Sequence, residues 1–212
     1  MTSVRNRLQR PRKRWEDLRR EGKIRAIGVS NFSPAQMRMF SADALLDAVQ
    51  PPYNLFERAI EADVLPYAVG AGLAILSYGA LCRGLLSGRM TLETKFDGDD
   101  LRKVDPKFQD KRFRQYLAAV GELKKLARER FGKSVLALAV RWVLDQGPTI
   151  ALWGARHPGQ LDPISDIEGW QIDAATKADI DAILERSIVD PVSPAFMAPP
   201  VIRPKEQKRL AA

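Results

Sequence analysis

Gly22-Lys23-Ile24-Arg25-Ala26-Ile27-Gly28-Val29-Ser30-Asn31-Phe32 is the stretch whose reading decides the fold of this chain. Ile24, Ala26, Ile27 and Val29 form an apolar strand core that runs straight into a polar pair, Ser30-Asn31. A helix start follows at once, with Ser33 as N-cap, Pro34 at the first helical position and Gln36 three residues after the cap. A strand whose carboxyl end presents two short hydrogen-bonding side chains, with a helix turning back behind it, has the local geometry of a ligand-facing loop in an α/β barrel.

The same rhythm repeats downstream. A short amphipathic helix over Arg14 to Glu21, stopped by Gly22, precedes the strand, and a helix over about Pro34 to Phe40 follows it. A second strand reads Asp47-Ala48-Val49-Gln50, then a helix covers about Glu61 to Val69. Leu73-Ala74-Ile75-Leu76-Ser77 is the third strand, and its continuous apolar character predicts burial on both faces. Met90 to Lys111 is too charged for a core and reads as an extended loop. Tyr116 to Arg130 predicts a helix with Leu117, Val120, Leu123, Leu126 and Ala127 on one face. Lys133 to Gln146 is a strongly apolar helix, Thr149 to Leu152 a fourth strand, and Ala174 to Arg186 a last helix capped by Asp173. Alternating strands and helices of these lengths specify an α/β fold with a parallel sheet and right-handed crossovers.

Composition bounds what such a fold can be. A chain of 212 residues that is 45% hydrophobic buries the core of one large domain. One cysteine, Cys82, excludes an internal disulfide framework and fits a reducing compartment. No apolar run approaches the roughly 20 residues that span a bilayer, and no signal-type segment follows the basic start. These features predict a cytoplasmic protein.

The net charge of +8 is unevenly spread: residues 5–25 hold ten basic and three acidic side chains, and the rest of the chain contributes only +1. A basic arm could hold phosphates electrostatically. No aromatic residue interleaves with it before Trp15, so a solvated leader is preferred to a nucleic-acid-binding arm. Residues 1–13 are read as a disordered basic leader, 14–190 as the folded part and 191–212 as a Pro-rich surface tail.

Four strand ends carry polar or glycine-bearing clusters. They are Ser30-Asn31, Gln50 before Pro51-Pro52-Tyr53-Asn54, Tyr78-Gly79-Ala80-Leu81-Cys82-Arg83-Gly84, and Gly154-Ala155-Arg156-His157-Pro158-Gly159-Gln160. In a parallel barrel the cofactor and catalytic groups collect at this carboxyl face, where loops vary while strands stay packed. Other candidates read as structural. Tyr53 orders a turn, Trp142 is core, His157 is a loop residue, and Cys82 lacks the paired base a nucleophile needs. No metal-ligand spacing is present.

In order and content these clusters resemble the aldo-keto reductases, over roughly residues 14–190. The resemblance implies the last four βα units of a TIM (β/α)8 barrel with flanking helices, and an NADP(H)-dependent oxidoreductase that reduces aldehydes or ketones. It implies that Ser30, Asn31 and Gln50 hold the nicotinamide carboxamide and that Tyr78 stacks on the nicotinamide ring. Gly79, Leu81, Arg83 and Gly84 would wrap the diphosphate. Gly154, Ala155 and Arg156 would take the adenosine 2′-phosphate, with Gln160 facing the adenosine. The chain departs from the family pattern in Gly79-Ala80 after the stacking Tyr, in Trp153 before the Gly-Ala-Arg, and in Ile164 at a frequent adenine-contacting Asn.

The family's catalytic Asp, Tyr, Lys and His belong to its first four strands and have no matching positions here, so no catalytic residue is assigned. The resemblance therefore implies a truncated enzyme or, alternatively, a non-catalytic fragment retaining a partial dinucleotide-binding surface. Open barrel edges would favour self-association or a complementing chain, with a small carbonyl substrate bound once complemented.

Overall fold

The computed structural model describes residues 15–42 and 44–197. The leader read over residues 1–13 and the tail beyond residue 197 lie outside the described residues. The chain divides into two compact units, one of residues 1–51, 59–76 and 197–212, the other of 52–58 and 77–196.

In the first unit residues 15–20 are helical (α1). Three parallel strands follow in chain order: β1 (Gly28–Ser30), β2 (Ala48–Gln50) and β3 (Ala74–Ser77), whose last residue opens the second unit. β1 pairs with β2 in the register Gly28↔Ala48, Val29↔Val49 and Ser30↔Gln50, and β2 pairs with β3 through Ala48↔Ala74 and Val49↔Ile75. Helices α2 (Pro34–Ser41) and α3 (Val64–Gly70) form the crossovers. The predicted capping box closes α2: the Gln36 amide donates to Ser33 Oγ at 3.3 Å, and the Ser33 amide to Gln36 Oε1 at 2.7 Å. Met37, Val49, Ala68 and Ile75 are fully buried, so the unit has a true apolar core. Asp47, just before β2, ties α1 to the sheet, pairing with Arg19 and accepting from the Ile27 amide at 2.7 Å.

Two strand expectations change. The first strand was expected from Ile24 onward, yet ladder pairing starts only at Gly28, and Ala26 is exposed. The third was expected to be buried on both faces. Instead Ile75 and Ser77 are buried while Ala74 is exposed and Leu76 half-buried, the alternation of a strand covered on one side.

The second unit is built on α4 (Asp110–Phe131), α5 (Val135–Leu144) and α6 (Ala174–Ser187), with β4 (Thr149–Ala151) following α5. α5 is apolar on nearly every face and buried accordingly, from Val135 to Val143. Trp142 packs its ring 5.1 Å from that of Tyr53; Trp142 is core, as read from the sequence, and Tyr53, expected to order a turn, is fully buried with it. After β4, the Leu152 amide donates to the Ser77 carbonyl at 2.8 Å and the Ala80 amide to the Leu152 carbonyl at 3.3 Å. α4 starts six residues earlier than its periodicity predicts and buries Phe113, Tyr116, Val120, Leu123 and Ala127, leaving Leu117 and Leu126 half-buried.

The charged stretch over residues 90–111, read as an extended loop too charged for a core, is the main correction. Two 3-10 turns, Leu101–Lys103 and Pro106–Phe108, structure it, and Asp105, Lys107 and Phe108 are buried. Phe96, Phe108 and Phe113 pack as a ring cluster with centroids 5.4 to 6.2 Å apart. Among the described residues no helix is long and apolar enough to cross a membrane.

Candidate functional site

In the first unit the structure brings Ser30, Asn31 and Gln50 together. Register places Ser30 opposite Gln50 at the carboxyl ends of β1 and β2. The Gln50 carbonyl accepts from Ser30 Oγ at 3.0 Å and from the Asn31 amide at 3.2 Å. Asn31 sits at φ +55°, a left-handed conformation that Asn tolerates better than most residues and that ends the strand sharply. The result is a cluster of neutral amide and hydroxyl groups, able both to donate to and accept from a carboxamide.

In the second unit Gly79, Leu81, Arg83 and Gly84 share one tight turn. Its amide bonds run from Cys82 to the Gly79 carbonyl (2.7 Å), Gly84 to Leu81 (2.9 Å), Leu85 to Cys82 (3.1 Å) and Leu86 to Leu81 (3.1 Å). Cys82, Arg83 and Gly84 have φ of +46°, +53° and +88°, a left-handed run. For L residues such a run costs roughly 1–2 kcal/mol each. The Cys82 and Gly84 amides are spent on these internal bonds, while those of Leu81 and Arg83 enter none of them. Tyr78, directly before the turn, is half-buried, its carbonyl accepting from the Tyr53 amide at 3.1 Å.

The fourth cluster lies on the surface, with Gly154, Ala155 and Arg156 all exposed. Gln160, expected to face the adenosine, is half-buried and ties the loop together. Its Oε1 accepts from the Arg156 amide at 2.6 Å and the His157 amide at 3.2 Å. His157 is exposed in this loop, as a loop residue should be.

A second set of residues here was not legible from the sequence. Asn54, fully buried, donates from Nδ2 to the Gly79 carbonyl at 3.0 Å and to Glu57 Oε2 at 2.7 Å. Glu57 Oε1 receives Lys107 Nζ at 2.7 Å. Lys107 Nζ also lies 3.1 Å from Asp105 Oδ2, which stands 3.2 Å from Arg83 Nε. Burial opposes the charge on Lys107, but the negative groups around it (Cys82 when ionised, Glu57 and Asp105) hold its ammonium above the usual value. Burial pushes the neighbouring Cys82 thiol well above its usual 9.0, so the neutral form persists and it is no nucleophile. The Pro-Pro-Tyr-Asn turn was the one available signal, through Asn54. Among the described residues no group of three or more His, Cys, Asp or Glu could hold a metal ion.

Comparison with known proteins supplies the family. Residues 13–185 match the Aldo/keto reductase family. The chain is 62% identical over 180 residues to aldo-keto reductase YhdN of Bacillus subtilis (strain 168), a match covering 84% of this chain and 54% of that protein. It is 32% identical over 146 residues to the NADH-specific methylglyoxal reductase of Escherichia coli (strain K12), covering 68% and 44%. Among solved structures it superposes on the glycerol dehydrogenase AKR11B4 of Gluconobacter oxydans with a TM-score of 0.81 at 54% identity, over 93% of this chain and 59% of that one. An aldo-keto reductase of Klebsiella pneumoniae, solved in complex with NADPH, shares the fold at a TM-score of 0.61 and 23% identity, over 84% and 54%. The chain spans about half the length of the curated relatives it matches. Its parallel α/β architecture fits the (β/α)8 fold of these neighbours. The chain belongs to the aldo/keto reductase family of oxidoreductases.

Proposed function

We propose that this chain forms the dinucleotide-holding part of an NADP(H)-dependent reductase of aldehydes or ketones, four βα units of an eight-stranded barrel. One observation carries the reading: each cluster follows the carboxyl end of its own strand. Ser30 and Gln50 end β1 and β2, Tyr78 directly follows β3, and Gly154 comes shortly after β4. In a barrel that is the ligand-facing end.

The donor set suits the cofactor's parts. Ser30, Asn31 and Gln50 offer neutral hydrogen bonds to a carboxamide, and the Gly79–Gly84 turn offers backbone amides and a guanidinium to a diphosphate. Exposed Arg156 offers a fork of donors to a 2′-phosphate, which NAD(H) lacks. When bound, the cofactor supplies a hydride to a carbonyl carbon. On this reading the Tyr78 ring would stack on the nicotinamide, and an aromatic face there would fix the side from which hydride leaves. Proton delivery to the carbonyl oxygen is assigned to no residue of this chain. The reading gives it to the remaining barrel, which would continue from the β1 edge, left unpaired on one side among the described residues.

Titration of the full chain with NADPH and NADH, followed by nucleotide fluorescence, tests this reading. NADPH should bind more tightly than NADH. Arg156→Ala should weaken NADPH about tenfold to a hundredfold, the range for a lost charge-assisted contact, and leave NADH unchanged. Equal affinity for both nucleotides, indifferent to Arg156→Ala, would refute it.

A further inference from the structure

The left-handed Cys82–Gly84 run is strained, so something must hold it in the absence of ligand. The buried network of the second unit grips the turn from both ends. At one end Asn54 Nδ2 donates to the Gly79 carbonyl, while Asn54 Oδ1 accepts from the amides of Phe56 and Glu57 at 2.9 and 3.1 Å. At the other end Asp105 engages Arg83. Lys107 joins the two ends through Glu57 and Asp105, and its own amide donates to Asp105 Oδ1 at 3.0 Å.

The network holds two cations and two anions, and Asp105, Lys107 and Asn54 are essentially unexposed. Such a set is costly to bury and justified by what it fixes more than by net stability. Asp105 meets Arg83 through Nε, the inner nitrogen of the guanidinium. The two terminal nitrogens of a side chain that is 30% exposed are thereby left for an outside anion. Asp105 Oδ2 is within ion-pair distance of both cations but in hydrogen-bond geometry with neither, so it aims Arg83 by charge.

Resting on the dinucleotide reading above, we infer that Asp105, Lys107, Glu57 and Asn54 are positioning residues that pre-organise the Gly79–Gly84 turn and the Arg83 guanidinium for the cofactor's diphosphate. They touch no ligand themselves. Their effect is confined to the part of the nucleotide that the turn holds, which separates the idea from a merely structural role.

The test uses the full chain and two probes, NADPH and adenosine 2′-monophosphate, the second lacking the diphosphate. Asp105→Asn keeps the shape and removes the charge. It should weaken NADPH about tenfold to a hundredfold and change adenosine 2′-monophosphate affinity by less than about twofold. Amide hydrogen exchange should accelerate at Cys82 to Leu86 while α5 keeps its protection. Equal losses for both probes, or no loss for NADPH, overturn the inference. Failure of the unaltered chain to bind NADPH overturns the parent reading and this one with it, so the two failures are distinguishable. If Asp105→Asn does not fold, Glu57→Gln takes its place. That change is isosteric and acts on the turn only through Asn54 and Lys107. The same selectivity between probes, smaller in size, supports the inference, and its absence overturns it.

Discussion

Gly88 closes the segment after the proposed diphosphate turn, and replacing it with Ala gives a stability effect that can be worked from geometry. The residue sits at φ +71°, and a Cβ added there would lie 2.6 Å from Val135 Cγ1, at the first residue of α5. Two costs combine. The left-handed conformation costs an L residue roughly 1–2 kcal/mol, and forcing a methyl into a packed contact adds about 1–3 kcal/mol. Gly88→Ala should therefore destabilise by about 2–5 kcal/mol. Gly132→Ala isolates the first cost, because Gly132 has φ +65° with nothing within 4 Å of its added Cβ. That variant should lose only about 1–2 kcal/mol. Val135→Ala removes the colliding methyl, so the Gly88→Ala/Val135→Ala pair should show a favourable coupling of about 1–3 kcal/mol. Urea unfolding with an unchanged m-value measures all four. If Gly88→Ala matches Gly132→Ala within about 0.5 kcal/mol, or the double variant is additive, the collision is not real.

Two further outcomes concern caps and pH. Ser134 Oγ accepts from the Ala137 amide at 3.1 Å, and Ser134→Ala should cost about 1 kcal/mol by thermal or denaturant unfolding, with Ser134→Gly costing less. Stability should fall on the alkaline side, because burial raises the Cys82 thiol above 9.0 and the Tyr116 phenol above 10.0. Groups raised on folding stabilise fully below their unfolded values, and the contribution is lost as pH rises through the folded ones. The decline should begin near pH 9 in the native chain. In Cys82→Ala it should begin a pH unit or so later, near the ordinary range of Tyr116 and then of Lys107 at 10.5. An identical pH profile for Cys82→Ala would show that thiol burial contributes nothing.

Much of the fold was readable because its signals are local. Ser33-Pro34-Ala35-Gln36 encodes a capping box within four residues, and the capping box is there. Asp173 caps α6, its carboxylate accepting from the Thr176 amide at 2.6 Å, again a three-residue signal. Strand extents were less readable, since pairing depends on a partner. Ile24 to Ile27 are apolar enough for a strand, but the register with β2 begins only at Gly28. For α4, Val120, Leu123 and Ala127 are buried as the period predicts, but the helix start at Asp110 was not legible. Phe113 and Tyr116, near the helix start, turn the buried face toward rings at Phe108 and Phe56 that no local pattern announces.

The candidate site divides along the same line. Ser30, Asn31, Gln50 and the Gly79–Gly84 turn stand at strand ends, and a strand end followed by glycine or a short polar residue is a local signal. Asp105 and Lys107 carry none. In a stretch holding Glu93, Lys95, Asp97, Asp99, Asp100, Arg102 and Lys103, two more charges read as two more solvated side chains. What permits their burial is Glu57, 50 residues earlier, and a ring cluster that carries the Asp-Pro-Lys-Phe segment inward. A buried charge is stable only with its partner and its hydrogen bonds in place. Its position is thus decided by the tertiary fold and not by its neighbours in sequence. Gln160 shows a tertiary role of the same kind beside the one expected for it: two amides of its own loop hold its carbonyl oxygen. The residues proposed to touch a ligand carry local motifs, while those proposed to aim them emerge only when distant segments meet.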